Sequence, residues 1–307
     1  MKGLLDKSIL KVLVYFDMFQ YPVSIDEIRF FIDQKAGEDE IADALKHMIL
    51  DQRVYRIDKF YTLRNNFKLI ERRIKGNIYA GNLLKKAYAI AAFLYKFPYV
   101  RGIGISGSLS KNFADEDADI DFFVITKKNR LWLARTAMHM FKKLTFLVGK
   151  QDWFCMNYYV DEDALLIEER NMFTAMELIT LLPACGNGVM GRFFDVNEWA
   201  RDYYPRYEEL NHSSKRLTHD VWYKRMIEWL LNNKLGDSLD NYFLRLTSRR
   251  WKKKEENFKL NVKGNRMGLR TGKHYAKPNP RFFQEKILML YQSKLNDYDI
   301  TEAMAAS

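Results

Sequence analysis

The sequence predicts an α/β protein of the α+β type, in which a small mixed sheet is flanked by helices. Two segments rich in strand-forming residues, 99–106 and 119–125, lie close together near the middle of the chain. Amphipathic stretches typical of helices precede and follow them, and the longest covers residues 66–97. With 307 residues, of which 48% are apolar, the chain is long enough to bury a large core and to form two or three modules.

The cysteine count and the apolar runs indicate a cytoplasmic protein. Cys155 and Cys185 lack the close spacing of a metal or redox motif, and no signal-peptide pattern precedes them, so we expect reduced thiols. The apolar runs near the N-terminus and at 87–95 are interrupted or bounded by charged residues and fall short of the roughly 20 residues that a membrane span requires. We therefore expect no disulfide, no zinc and no membrane association.

Residues 1–65 have a helical pattern of their own. Apolar side chains recur at helical spacing in two of its segments. Between them, Ser24 and Glu27 have the spacing of a capping box, which marks the start of a further helix. Residues 54–63 follow as a short hairpin. Three helices followed by a hairpin resemble a winged helix-turn-helix domain.

The third predicted helix bears on DNA binding, because in such a domain it would enter the major groove. Its outward-facing residues carry four carboxylates and a single lysine, which are Glu38, Asp39, Glu40, Asp43 and Lys46. Carboxylates repel the phosphates on which DNA affinity depends. The sequence therefore favours a docking or scaffolding role. DNA binding remains the alternative because the hairpin is surrounded by basic residues, namely Arg53, Arg56, Lys59 and Arg64.

The formal net charge of +11 favours polyanionic partners such as nucleotides, nucleic acid or an anionic surface. Much of the excess is local, in a cluster made of Arg245, Arg249, Arg250, Lys252, Lys253 and Lys254. It continues more sparsely through Lys263, Arg266, Arg270, Lys273 and Lys277. Such runs usually form a solvated helix face, and contact with phosphates is the alternative. Nucleic acid is thus a possible partner, but not the favoured one.

A motif with chemical potential lies in the middle of the chain. Gly107 and Ser108 follow the first predicted strand and precede a predicted helix, so a hydroxyl, free backbone N–H groups and a helix dipole meet at one point. Such a point suits phosphate groups. Asp119 and Asp121 begin the next strand, and the period-2 alternation of a strand projects both carboxylates to the same face. Paired carboxylates are typical ligands of Mg²⁺.

This combination resembles the signature of the DNA polymerase β-like nucleotidyltransferase superfamily. That signature is a hydrophobic residue, Gly, then Gly or Ser, and after about ten residues an Asp-hydrophobic-Asp triplet on the next strand, which here is Asp119-Ile120-Asp121. Ser106 stands where the hydrophobic residue is usual, and the rest agrees. The resemblance covers residues 99–160.

The resemblance implies a site and a reaction. Gly107 and Ser108 would hold the β- and γ-phosphates of a nucleoside triphosphate, and Lys111, one helical turn further on, would reach a phosphate. Asp119 and Asp121 would bind the catalytic Mg²⁺, or Mn²⁺. An acceptor would attack the α-phosphate and release pyrophosphate.

The superfamily also uses a third carboxylate on a later strand. The corresponding strand here, residues 153–160, contains no acid. Asn157 occupies the expected position, and an amide cannot act as a base near neutral pH. Asp161, which has the right parity at the end of the strand, and Asp152, which precedes it, are the alternative third ligands. A site with no third acid is the remaining alternative.

Residues 171–307 are predicted to form a helical region. One helix carries an apolar stripe that we predict to be core, formed by Trp222, Met226, Trp229 and Leu230. The stretch 268–280 is predicted to be a basic loop that clamps anions. None of the five histidines has the spacing of a metal ligand or of a nucleophile–base pair.

The predicted organisation is a winged helix-turn-helix-like domain (1–65), a nucleotidyltransferase core (66–170) and a C-terminal helical region (171–307). The leading function is Mg²⁺-dependent transfer of a nucleotidyl group from a nucleoside triphosphate to an unidentified acceptor. One alternative is a DNA-binding regulator whose core only senses nucleotide. The other is a catalytically inactive nucleotidyltransferase-like interaction module, which a missing third acid would permit.

Overall fold

The protein has a mixed α/β architecture with a three-stranded and a six-stranded sheet. A computed structural model describes residues 2–145, 153–209, 221–257, 268–278, 280–298 and 300. The element boundaries below are those of this structure.

The N-terminal unit follows the predicted order of three helices and a hairpin. Its elements are α1 (Lys2–Asp17), β1 (Val23–Ser24), α2 (Ile25–Phe31), α3 (Glu38–Leu50), β2 (Tyr55–Ile57) and β3 (Phe60–Thr62). The three strands pair antiparallel in the order β1-β3-β2. The predicted capping box forms at the start of α2, where the Ser24 N–H donates to the Glu27 carboxylate at 2.8 Å and the Glu27 N–H donates to the Ser24 hydroxyl at 3.3 Å.

The six-stranded sheet has the strand order β7-β4-β5-β6-β9-β8. Its strands are β4 (Val100–Ser106), β5 (Asp121–Thr126), β6 (Cys155–Asp161), β7 (Leu182–Cys185), β8 (Leu269–Thr271) and β9 (Tyr275–Pro278). β5 runs parallel to β6, and the other neighbours are antiparallel. The sheet is therefore mixed, and β4 and β5 lie in its interior.

The remaining helices cover both faces of this sheet. They are α4 (Phe67–Leu94), α5 (Gly107–Ser110), α6 (Leu131–Thr145), α7 (Met172–Thr180), α8 (Asn187–Val196), α9 (Trp222–Leu230), α10 (Lys234–Glu256) and α11 (Pro280–Asn296). Residues of β5 alternate between two apolar clusters: Phe122 and Val124 pack with α4 and α6, and Phe123 and Ile125 pack on the other face.

The N-terminal unit shares its core with the sheet. One continuous cluster joins buried residues of α1, α2 and α3 to Phe123 and Ile125 of β5 and to residues of α7, α8 and α11. Tyr15 of α1 meets Tyr291 of α11 edge to face, with 6.2 Å between the ring centroids. Residues 2–65 are thus packed against the rest of the described structure and share a core with it.

The region after residue 170 is not only helical, contrary to prediction. Three of its segments, β7, β8 and β9, are strands of the six-stranded sheet. β8 and β9 form a hairpin around Gly272 in the stretch predicted to be a basic loop. Glycine and lysine lower the strand propensity of this stretch, and pairing with β6 supplies the stabilisation that propensity alone does not indicate.

Helix α9 exposes the stripe that was predicted to be core. Trp222 is 72% exposed and Trp229 is 79% exposed. The helix is anchored by its polar side chains instead. Lys224, only 1% exposed, donates to the carbonyl oxygens of Tyr95 and Val100 at 3.0 and 2.9 Å. Helical periodicity identifies an amphipathic helix, but here the polar face is the buried one.

Among the described residues, the helices that are long enough to cross a bilayer are too polar to do so.

We expect Lys224→Ala to lower the free energy of unfolding by about 2–4 kcal/mol, because the carbonyl groups of Tyr95 and Val100 each lose a hydrogen-bond donor. Urea denaturation gives the value. Lys234→Ala, which removes an exposed lysine from the start of α10, is the matched control and should change stability by less than about 0.5 kcal/mol. Equal effects of the two substitutions would contradict the anchoring role of Lys224.

Candidate functional site

The candidate site is built on a close approach between Gly107 and Asp121. Ser106, the last residue of β4, pairs with Asp121, the first residue of β5. The next residue, Gly107, has φ +72°, and a Cβ atom there would lie 2.5 Å from Oδ2 of Asp121. Only glycine accepts this conformation and this approach without strain. The turn and the carboxylate therefore depend on each other.

Ser108, Asp119 and Asp121 line one open cleft of about 720 Å³. Ser108 is exposed, and the two carboxylates are partly exposed. The other walls come from α4 and from the loop 113–118. Small-molecule sites usually measure roughly 300–1,000 Å³, so the cleft has the size of a site for a nucleotide. The structure thus brings these three predicted site residues together.

The cleft carries more negative than positive charge. Its acidic lining residues are Asp115, Glu116, Asp117, Asp119 and Asp121, and its basic ones are Arg72 and Lys75. Arg72 is bound by both carboxylate oxygens of Asp115, at 3.1 and 2.9 Å. A bare triphosphate would be repelled, whereas a triphosphate that arrives with divalent cations would not.

Lys111 does not reach into this cleft as predicted. Its ammonium group donates to the carboxylate of Glu177 at 2.7 Å and to the carbonyl oxygen of Gly107 at 3.2 Å. The lysine charge is therefore neutralised by an acid on α7. We reassign Lys111 from phosphate binding to holding the Gly107 turn against α7.

The N-terminal unit supports the loop that follows the turn. The Tyr21 hydroxyl donates to the carbonyl oxygen of Lys111 at 2.8 Å, and its ring meets Phe113 edge to face at 5.7 Å between centroids. On the α4 side, the Ala114 N–H donates to the carbonyl oxygen of Gly76 at 3.2 Å. The loop that leads to Asp119 is thus fixed from two sides.

Asn157 lies beside Asp121, where the sequence placed the missing carboxylate. Its side-chain amide donates to Oδ1 of Asp121. The residue forms a bulge in β6, because Met156 pairs with Phe122 and Tyr158 already pairs with Phe123. Exchanging the oxygen and nitrogen of the amide would not make it a base. Asn157 therefore holds Asp121 but supplies neither the charge nor the basicity of a carboxylate.

Asp161 is not a third ligand of this site. It pairs with Thr126 at the far end of β5, whereas Asp121 pairs with Cys155. Five residues of strand separate the two levels, or about 16 Å at about 3.3 Å per residue. Regular alternation along β6 predicts that Asp161 shares a face with Asn157. The bulge at Asn157 shifts every later residue of the strand to the opposite face, so this prediction is wrong.

Asp161 has a structural explanation of its own. Its buried carboxylate accepts the N–H groups of Asn129 at 2.9 Å and Asp163 at 3.0 Å, and it contacts Nδ1 of His274 at 2.8 Å. Asp161, Asp163 and His274 have ligand atoms within 4.8 Å of one another, as a metal site requires. The Asp161 oxygens already accept hydrogen bonds from two backbone N–H groups and contact His274. We therefore interpret the three residues as a structural contact that connects the segment after β5 to the β8–β9 hairpin.

Among the residues that the structure describes, Asp161, Asp163 and His274 form the only group of three acidic, histidine or cysteine side chains whose ligand atoms lie within 4.8 Å of one another. Asp119 and Asp121 do not belong to such a group of three among the described residues. Asp152, the other alternative from the sequence, lies outside them.

Behind the Asp pair lies a thiol next to a lysine. Cys155 pairs with Asp121 in the sheet, and the Lys142 ammonium group contacts its sulfur at 3.4 Å. Burial raises the pKa of the Cys155 thiol, and the charges of Asp121 and Asp119 raise it further, against the effect of Lys142. The thiol is thus protonated near neutral pH and is a poor nucleophile. Cys155 and Cys185 are thiols and do not form a disulfide with each other.

Asn157 lines a second, smaller cavity, which shares no lining residue with the cleft. It measures about 170 Å³ and contains Arg135 of α6 in its wall. The sequence does not predict this cavity. A signal was present, because Arg135 interrupts an apolar helical stripe between Leu131 and Met138, both of which are fully buried. Arginine in such a stripe is unusual and indicates a specific environment.

Comparison with protein-family models gives no match, and neither do comparisons with curated proteins and with solved structures.

We expect Gly107→Ala to lower the free energy of unfolding by about 1–3 kcal/mol, from the strain of a positive φ at a residue with a Cβ atom. The displaced Asp121 carboxylate would add to this loss. Gly81→Ala is the matched control: nothing lies within 4 Å of its added methyl group, and in a helix it should stabilise by about 0.5–1 kcal/mol. Chemical denaturation of both variants measures the two changes in the free energy of unfolding, which should have opposite signs. A stabilised Gly107→Ala variant would contradict the close approach of Gly107 to Asp121.

Proposed function

We propose that the protein binds a nucleoside triphosphate with Mg²⁺ in the cleft at Ser108, Asp119 and Asp121 and transfers its nucleotidyl group to an acceptor. The observation that carries the proposal is the glycine-only contact between Gly107 and Asp121. This contact brings the Gly-Ser turn next to the Asp pair, the two parts of the sequence motif. Both lie at an open cleft whose size suits a nucleotide. The resemblance to the polymerase β-like superfamily supports the proposal from the sequence side.

The residues present fit a hard divalent cation, either Mg²⁺ or Mn²⁺. Asp119 and Asp121 offer carboxylate oxygens, and the excess of acidic groups in the cleft favours a cation. When bound, the cation would neutralise phosphate charge and polarise the phosphoryl group. The chain itself contributes the rest: Ser108 offers a hydroxyl to a phosphate oxygen, and the Asn157 amide orients Asp121.

Asn157 occupies the place beside Asp121, so among the described residues no carboxylate stands where the superfamily has its third one. The second function that an observation favours is therefore a catalytically inactive module that binds nucleotide and interacts with partners. Both functions begin with nucleotide binding. They differ in whether pyrophosphate is released.

A DNA-binding regulator is less well supported. The outward face of α3 exposes Glu38, Asp39, Glu40 and Asp43. This face would meet phosphates with like charge. The contacts of Tyr21 with Lys111 and Phe113 give the N-terminal unit a different task, which is to support the loop of the cleft.

Binding of a nucleoside triphosphate with Mg²⁺ should raise the melting temperature, since a ligand at 100 times its Kd stabilises the folded state by about 2.7 kcal/mol. The double substitution Asp119→Ala with Asp121→Ala should abolish the shift. The control removes two exposed carboxylates from the same cleft, Glu116→Ala with Asp117→Ala, and should retain it. An equal shift in the first variant would remove the Asp pair from the site.

Asn157→Asp should change the protein in opposite directions without and with Mg²⁺. In EDTA it places two carboxylates in contact and should lower stability by about 1–3 kcal/mol. Mg²⁺ should restore that stability, and any release of pyrophosphate should increase about tenfold or more, within the roughly 10²–10⁴-fold range of general-base catalysis.

Asn157→Ala is the control for this experiment, because it removes the hydrogen bond without adding charge and should not be rescued by Mg²⁺. Thermal melts in EDTA and in Mg²⁺, together with a pyrophosphate assay, give the comparison. Rescue of both variants alike would show that residue 157 is not next to a metal site. Full Mg²⁺ rescue of Asn157→Asp without any pyrophosphate release would favour the inactive module.

A further inference from the structure

The smaller cavity beside Asn157 has a cationic wall. It lies between α6, α10 and β6, and the residues that matter for its chemistry are Arg135, His139, Lys142, Trp251 and Lys254. The described residues that line it include no carboxylate. Its volume of about 170 Å³ corresponds to roughly five water-sized groups at about 30 Å³ each. A phosphate group, with five heavy atoms, matches that size.

Arg135 is a buried cation without the partner that such a cation normally has. Its side chain is 6% exposed, and its guanidinium carbon lies 4.7 Å from the ring centroid of Trp251. Among the described residues it makes no hydrogen bond or ion pair, and its Nε atom is buried without an acceptor. Burial lowers the pKa of the Arg135 guanidinium, because the charged form loses its hydration.

The surrounding groups make the same cavity more positive. Lys142 contacts the Cys155 sulfur and forms no ion pair with a carboxylate of the described residues, and Lys254 extends from the exposed side of α10. Desolvation and the positive charges of Arg135, Lys142, Lys143 and Lys254 lower the pKa of His139 to about 4. The imidazole is therefore neutral at pH 7 and able to hydrogen-bond an anion. A buried guanidinium next to two lysine ammonium groups is suited to binding a phosphate or a similar anion.

The position of the cavity relates it to the proposed active site. Asn157 lies in the cavity wall, and its amide donates to Asp121, which lines the larger cleft. The hydrogen bond between Asn157 and Asp121 thus joins the wall of the smaller cavity to the wall of the larger cleft. The nucleotide phosphates are assigned to the Ser108 side, so an anion on the Asn157 side belongs to a different part of the reacting pair.

We propose that this cavity binds a terminal phosphate group of the acceptor, so that the acceptor is a phosphomonoester. The assignment to the acceptor rests on the proposed nucleotidyl transfer. The binding of phosphate by the cavity does not, because it depends on Arg135, Lys142 and Lys254 and not on the Asp pair.

The test uses the full chain and inorganic phosphate as the probe, with chloride at equal ionic strength as the blank. Isothermal titration should detect binding to the wild type, and Lys254→Glu should weaken it about tenfold or more, the effect of losing one charge-assisted contact. Lys253→Glu is the matched control: it reverses an exposed charge on the adjacent residue of α10, outside the cavity wall. It should bind phosphate as the wild type does.

A second measurement does not depend on any substitution. Because a bound phosphate compensates the positive charges around His139, it should raise the pKa of this imidazole, observed by NMR as a shift of its titration. Absence of phosphate binding, an unshifted His139, or equal loss in Lys254→Glu and Lys253→Glu would each overturn the phosphate site.

The two proposals fail separately. The variant Asp119→Ala with Asp121→Ala should keep its affinity for inorganic phosphate while losing the nucleotide-dependent shift. If this variant keeps both its phosphate affinity and its nucleotide-dependent shift in melting temperature, the nucleotide proposal fails and the phosphate site is retained. If nucleoside triphosphate displaces phosphate from the wild type, the cavity serves the nucleotide itself, and the assignment to the acceptor is overturned.

Discussion

The candidate site depends on one steric constraint, the contact of the Asp121 carboxylate with the backbone of Gly107. A Cβ atom at Gly107 would occupy the space of that carboxylate. The register of β4 and β5 sets the contact, and two further interactions preserve it: Lys111 bonds the Gly107 carbonyl oxygen from one side, and Asn157 bonds the carboxylate from the other. An aspartate that is fixed in this way keeps its direction before any ligand arrives, which lowers the cost of ordering a site.

Signals that act over a few residues could be predicted from the sequence. The capping box of Ser24 and Glu27 forms because its two hydrogen bonds are local. Ser106 pairs with Asp121 because adjacent strands joined by a short connection usually pair, and Ser108 and Asp119 line the same cleft as Asp121. Asn157 was located for a related reason, since it is on the strand that pairs with β5.

Features that depend on distant partners could not be predicted. Lys111 pairs with Glu177, which is 66 residues away, and no local pattern indicates such a partner. Asp161 has the expected parity only in a regular strand, and the bulge that changes it is a tertiary feature. Helix α9 buries the face that carries Lys224, whose ammonium group donates to the carbonyl oxygens of Tyr95 and Val100, more than 120 residues away in the chain. Hydrophobic periodicity alone does not contain that information.

The shared core of the N-terminal unit has a consequence for synthesis on the ribosome. Helix α1 is made early, yet Tyr15 packs against Tyr291, and Asp17 forms an ion pair with Lys294 at 3.2 Å. These contacts close loops of more than 270 residues, and such long-range contacts form slowly. In the nascent chain, these contacts of α1 cannot form until α11 has left the exit tunnel. Part of the apolar surface of α1 therefore stays uncovered until then. Chaperones that bind exposed apolar segments would have their longest opportunity during this interval.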